Sequence, residues 1–166
     1  MTIGGTTSAT NAGIYAATFT LGGNYRWNDG TTTALDVDWS IAKAAGSLSV
    51  QPTTVDLNGS NYSTGINVTI TRSGDGTISY SPTSVSGLTM SLNGNTLNIR
   101  GNGSTAISGR VITIRVAEGT NYLAPSSKTV TVNATYWDWG SETAVGDQDW
   151  WAGLKTWARS ASASER

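Results

Sequence analysis

The chain contains neither cysteine nor histidine. Lack of cysteine excludes disulfides, thiolate zinc sites, iron–sulfur clusters and cysteine nucleophiles. Lack of histidine excludes a Ser-His-Asp triad, imidazole metal ligation and the one side chain that titrates near neutrality unaided. Acid–base chemistry would have to rest on the few carboxylates, on Lys43, Lys128 and Lys155, or on the six tyrosines. The expectation is a protein that is not an enzyme and that carries no cofactor and no metal. Charge is scarce as well: Asp, Glu, Lys and Arg make up 13% of the residues, and 10 basic against 11 acidic side chains leave a net charge of −1. That is roughly half the usual charged share, and it gives no electrostatic footprint for nucleic acid or an anionic membrane. No apolar run approaches the ~20 residues of a spanning helix, which argues against membrane insertion. Met1-Thr2-Ile3-Gly4-Gly5 lacks the basic start and apolar stretch of a secretory signal. A protein of this kind working outside a cell is expected to arrive by lysis, by assembly into a larger particle, or within a longer precursor.

What is present is enough for a core. The 166 residues suit one ordinary domain or two small ones, with 37% apolar residues and 20 glycines. Residues 1–45 hold two period-two runs. In Ile14 to Leu21, the set Tyr15, Ala17, Phe19 and Leu21 shares one strand face. In Leu35 to Ile41, Leu35, Val37, Trp39 and Ile41 point one way and Asp36, Asp38 and Ser40 the other. Between them Asn24 to Gly30 is a turn, with Asn28-Asp29-Gly30 tolerant of positive φ. Two strands, or three counting residues 2–7, do not make an independently stable sheet. The first unit is therefore expected to be incomplete and to be finished by another domain or chain.

Residues 46–135 predict a full all-β domain, entered through a small-residue joint at Lys43 to Ser47. Strand candidates fall at 48–51, 54–57, 65–71, 77–80, 87–92, 95–100, 110–117 and 127–135. Ser73-Gly74-Asp75-Gly76 and Asn93-Gly94 are short-hairpin signals, since Gly, Asn and Asp reach positive φ cheaply. Seven or eight short strands over about 90 residues point to a two-sheet, immunoglobulin-like β-sandwich. With no cysteine pair, packing alone would hold it.

Residues 136–166 change character: five of the seven tryptophans fall here, at Trp137, Trp139, Trp150, Trp151 and Trp157. Asp147 is a candidate N-cap with Asp149 in the first turn. Trp150, Leu154 and Trp157 recur at helical spacing as one apolar stripe. A short Trp-rich helix is expected, its stripe packing on the sandwich.

Taken together, Gly4 to Gly13, Tyr15 to Thr20, Tyr25-Arg26-Trp27-Asn28-Asp29-Gly30 and Trp39-Ser40-Ile41 resemble the tandem β-rich repeat modules of phage fibres and gut-bacterial surface proteins. Residues 46–135, including Arg115 to Tyr122 and Ala124 to Lys128, resemble the bacterial Ig-like domain that commonly follows such repeats. Val145 to Trp157 resembles the lead-in to a C-terminal domain of unknown function. In that pattern the repeat has strands before the position of Met1, and the C-terminal domain continues beyond Arg166. The resemblance implies a non-enzymatic structural or adhesive module of a phage virion fibre or decoration, serving assembly or host attachment, on a virion or at a cell surface. Its partners would be other fibre subunits, further copies of itself, or a cell-surface glycan. A carbohydrate-binding module or a bacterial surface adhesin is the alternative.

Several constellations have a bland and a sharp reading. The tail tryptophans stand among Asp138, Glu142, Asp147 and Asp149. They form either a packed helix or a platform on which indoles stack against sugar rings; a glycosidase pair would further need an environment that separates two carboxyl pKa values. Trp137, Trp139, Trp151 and Lys155 are the candidate ligand or partner surface, with Lys155 one turn from Trp151 as a cation–π partner. Asp29, Asp36, Asp38 and Asp75 raise the question of calcium, which wants six to eight converging oxygens; a solvated strand face explains Asp36 and Asp38 equally well, and Asp75 between two glycines is a turn residue. Five Asn-x-Ser/Thr matches, at Asn58, Asn61, Asn67, Asn102 and Asn133, arise from composition in a chain so rich in these residues.

Overall fold

The computed structural model describes residues 1–103 and 105–136. The Trp-rich tail, with its expected helix and Trp137, Trp139, Trp151 and Lys155, lies outside the described residues. Within them the protein is all-β. The strands are β1 (Thr2–Gly5), β2 (Gly13–Thr20), β3 (Leu35–Ile41), β4 (Ala44–Ala45), β5 (Ser47–Gln51), β6 (Thr54–Leu57) and β7 (Ile66–Ser73). They continue with β8 (Ile78–Ser81), β9 (Leu88–Asn93), β10 (Thr96–Gly101), β11 (Ile107–Val116), β12 (Tyr122–Leu123) and β13 (Lys128–Ala134).

The chain divides into two compact units. The first comprises residues 1–47, 73–77 and 116–125. Its main element is a three-stranded sheet in the order β1-β2-β3. Both pairings are antiparallel, with Ile3 opposite Phe19, and Tyr15, Ala17 and Phe19 opposite Trp39, Val37 and Leu35. Directly opposed residues share a face, so the register gathers Ile3, Tyr15, Ala17, Phe19, Leu35, Val37, Trp39 and Ile41 on one side and leaves Ile14 with Ser40 on the other. The residues expected to form a plain joint contain β4, which pairs in parallel with β12. A two-residue parallel bridge between alanines and Tyr122–Leu123 leaves no periodicity in the sequence, because its partner is more than seventy residues away.

The second unit holds residues 48–72, 78–115 and the described chain from 126 onward. It is β-sandwich-like, with one four-stranded sheet in the order β5-β7-β10-β9 and another in the order β6-β13-β11-β8. Alternation dictates the core. Leu48, Val50, Val68, Ile70, Leu97 and Ile99 are buried from the first sheet, and Val55, Leu57, Ile112, Ile114, Val130 and Val132 from the second. Each such aliphatic side chain contributes roughly 1.5–3 kcal/mol by leaving water. No charged residue joins them among the described residues, and the hydroxyl of the buried Tyr62 donates to Gly103 O. Where β11 shifts register between Ile107 and Arg110, Asn133 holds the irregularity. Its side-chain oxygen accepts from the Gly109 N–H at 2.8 Å and its amide donates to Asp56 at 2.7 Å.

Candidate interaction surfaces

The first unit has no buried residue between Met1 and Ser47. On the apolar side of its sheet Ile3, Leu35 and Val37 are exposed to 56%, 49% and 44%, while Tyr15, Ala17, Phe19, Trp39 and Ile41 are only partly buried. In a finished two-layer domain such residues would be covered. The aromatic pair at one end is ordered: the Tyr15 and Trp39 rings lie 4.8 Å apart with a 31° tilt. Each ring also has a backbone partner, the Tyr15 hydroxyl donating to Asn11 O at 2.6 Å and Trp39 Nε1 to Thr6 O at 2.9 Å. The other side of the sheet carries Asp36 and Asp38. Asp36 accepts a hydroxyl bond from Thr18 at 2.7 Å, and β3 is, with β1, an outer strand of the sheet.

The loops of this unit are tied by one residue that the sequence did not flag. The Asn121 backbone N–H donates to the Asp75 carboxylate at 2.9 Å, and its carbonyl accepts from Ala44 N–H at 2.9 Å. Its side-chain oxygen accepts from Ala12 N–H at 2.7 Å, and its amide donates to Asn11 Oδ1 at 3.0 Å. Three other segments, at residues 11–12, 44 and 75, thus meet at one asparagine. Asp75 fits there because Gly119 has no side chain; a Cβ at 119 would overlap the Asp75 carboxylate and stand 2.8 Å from Gly76 N. The bond from Asn121 N–H holds the Asp75 carboxyl below the usual carboxylate range. Lys43 closes the same region, pairing with Glu118 and donating to Gly119 O at 2.8 Å.

The four acids weighed for calcium are separated in their tasks. Asp29 accepts from the Thr31 N–H and hydroxyl at 2.9 and 2.8 Å, which lowers its pKa and closes the turn. Asp75 braces the loop at Asn121, and Asp36 and Asp38 sit on a strand face. A second surface lies in the other unit, on the outer side of β7, β10 and β9. It is a shallow depression of about 660 Å³ lined by Asn67, Thr89, Ser91, Asn93, Thr96, Asn98 and Arg100. Asn98 donates to Asn67 Oδ1 at 2.8 Å. Its chemistry is amides, hydroxyls and one guanidinium, with no aromatic ring.

No family model, curated protein or solved structure matches the chain.

Proposed function

We propose that the protein is a non-enzymatic module of a repetitive extracellular assembly, a virion fibre or its decoration, that acts by contact area. The observation that carries this reading is the half-covered apolar side of β1-β2-β3, a surface suited to a neighbouring subunit. The resemblance of residues 1–45 and 46–135 to fibre repeats and Ig-like domains agrees with it. The second unit is assigned an immunoglobulin-like topology: β5, β7, β10 and β9 correspond to strands A, B, E and D, and β8, β11 and β13 to C, F and G. Strand β6, parallel to β13, then corresponds to an extra strand that crosses from one sheet to the other. The neighbouring subunit is a further copy, as in a stack of repeats. Sedimentation of the full chain over a wide concentration range tests this. The expected result is a mass that rises with concentration and stays monomeric in Val37→Asp; a monomer at every concentration would overturn association through this side.

The polar depression on β7, β10 and β9 favours a second reading, a carbohydrate-binding module. Its amides and hydroxyls match sugar hydroxyls, and Arg100 would pair with an acidic sugar. A glycan array on the full chain decides it, with binding expected to disappear in Arg100→Ala together with Asn98→Ala.

A further inference from the structure

Besides its apolar side, the first sheet has a free edge. Strand β3 pairs with β2 on one side only. Along its other side, alternate residues of Leu35–Ile41 present N–H and C=O groups outward, and no backbone of the described residues bonds them. Seven residues give an edge of about 23 Å. An edge of this length is a template for an added strand unless something guards it.

What guards it also specifies what fits. Asp36 and Asp38 stand on one face of β3, with Leu35, Val37, Trp39 and Ile41 on the other. Among the described residues neither aspartate is paired with a cation. If two copies paired β3 to β3 antiparallel, centring on Val37 would set each Asp36 opposite the other copy's Asp38. Centring on Asp36 or Asp38 would set that residue against itself. Like charges directly opposite destabilise a pair, so the edge resists its own copy in the three registers that overlap it most centrally. The same two carboxylates favour a strand whose polar positions are basic.

We infer that the β3 edge is a docking site for an extended segment of a second protein in which basic and apolar residues alternate, added as a fourth strand. The backbone ladder supplies affinity, and the charges and the continued apolar side set register and choice of partner. The inference rests on reading the first sheet as incomplete, and it concerns a different surface from the one that the sedimentation experiment probes.

The test uses the full chain, isotope-labelled, and three synthetic heptapeptides: alternating valine and lysine, alternating valine and glutamate, and the lysine peptide with alternate amides N-methylated. Slowed exchange of outward β3 amides is expected with the lysine peptide. Two cross-strand ion pairs predict binding roughly 2- to 30-fold tighter than for an uncharged analogue, weakening as salt rises. The N-methylated peptide keeps the charge but cannot pair, and should leave the amides unprotected. In the double variant Asp36→Lys with Asp38→Lys the preference should pass to the glutamate peptide. Protection of β3 by neither peptide, equal protection by both signs, or protection by the N-methylated peptide would each overturn the inference. A chain that stays monomeric yet takes the lysine peptide would sink the self-association reading alone.

Discussion

Replacing Gly101 by alanine tests the packing logic of the second unit most sharply, because two effects of opposite sign compete. Glycine in a strand is worth roughly 0.5–1 kcal/mol less than alanine on backbone grounds. At an indifferent position the substitution would therefore stabilise. At the end of β10, however, the Tyr62 ring lies flat on Gly101: a Cβ there would overlap Cζ and Cε1 and stand 2.5 Å from Cε2. Carbon atoms settle at about 3.5–4.0 Å, so the ring would have to move by about 1 Å or more. It has little freedom to do so. Tyr62 is buried, its hydroxyl donates to Gly103 O, and its ring meets Tyr136 edge-on at 5.5 Å. Losing the hydroxyl bond costs about 0.5–1.5 kcal/mol, disturbing the ring pair about 0.5–1.5, and overpacking about 1–3. After the backbone gain is subtracted the expected net loss is roughly 1–5 kcal/mol, a fall in Tm of roughly 4–40 °C for a unit of this size. Thermal and urea unfolding of Gly101→Ala, Tyr62→Ala and the double variant would measure it as a cycle. Once Tyr62 is truncated, Gly101→Ala should cost nothing or stabilise. A cost above about 2 kcal/mol in both backgrounds, or none in the parent chain, would refute the reasoning.

Three further outcomes follow from the same geometry. Asn121→Ala removes the acceptor of the Ala12 N–H and the partner of Asn11; the first unit should lose about 1–3 kcal/mol, seen as faster amide exchange around Ala12. The folded-state pKa of Asp75 lies below its unfolded value, so the stability it contributes is complete above about pH 4 and is lost as pH falls through the lowered value; protection of the Asn121 amide, taken relative to the unstructured exchange rate at the same pH, should fall on acidification, and Asp75→Asn should abolish that pH dependence. Leu97→Ala, at a fully buried position, should cost about 2–5 kcal/mol in urea unfolding, whereas Val37→Ala on the open sheet should change stability by no more than about 0.5 kcal/mol.

The strands of the second unit were legible because their signal is local. Val68 and Ile70 alternate with Asn67 and Thr69, and Val130 and Val132 with Thr129 and Thr131, so each segment states its own period and inward face. The bounds fell within a few residues, turn glycines and asparagines marking the ends. The apolar side of the first sheet was legible for the same reason: Leu35 to Ile41 alternates apolar and polar residues, and its apolar members line up with those of β2. The Asn121 junction was not legible. Asparagine in a loop is ordinary, and the bonds that make this one a hub reach residues 11, 12, 44 and 75. Nor was the Tyr62 packing on Gly101, since nothing in either segment points to the other.

The amino-acid order by itself determined that this protein is β-structured, which side of each strand is apolar, and that thiol and imidazole chemistry are absent. Those properties follow from side-chain type and a two-residue period, neither of which needs a distant partner. Tertiary structure alone decided that β3 ends its sheet with a free edge bearing two aspartates, that Asp75 braces a loop, and that one asparagine joins three other segments. Pairing and edge position are relations between segments far apart in the chain. They are set by which register buries the most apolar surface while satisfying the backbone, a competition that no short stretch of sequence records.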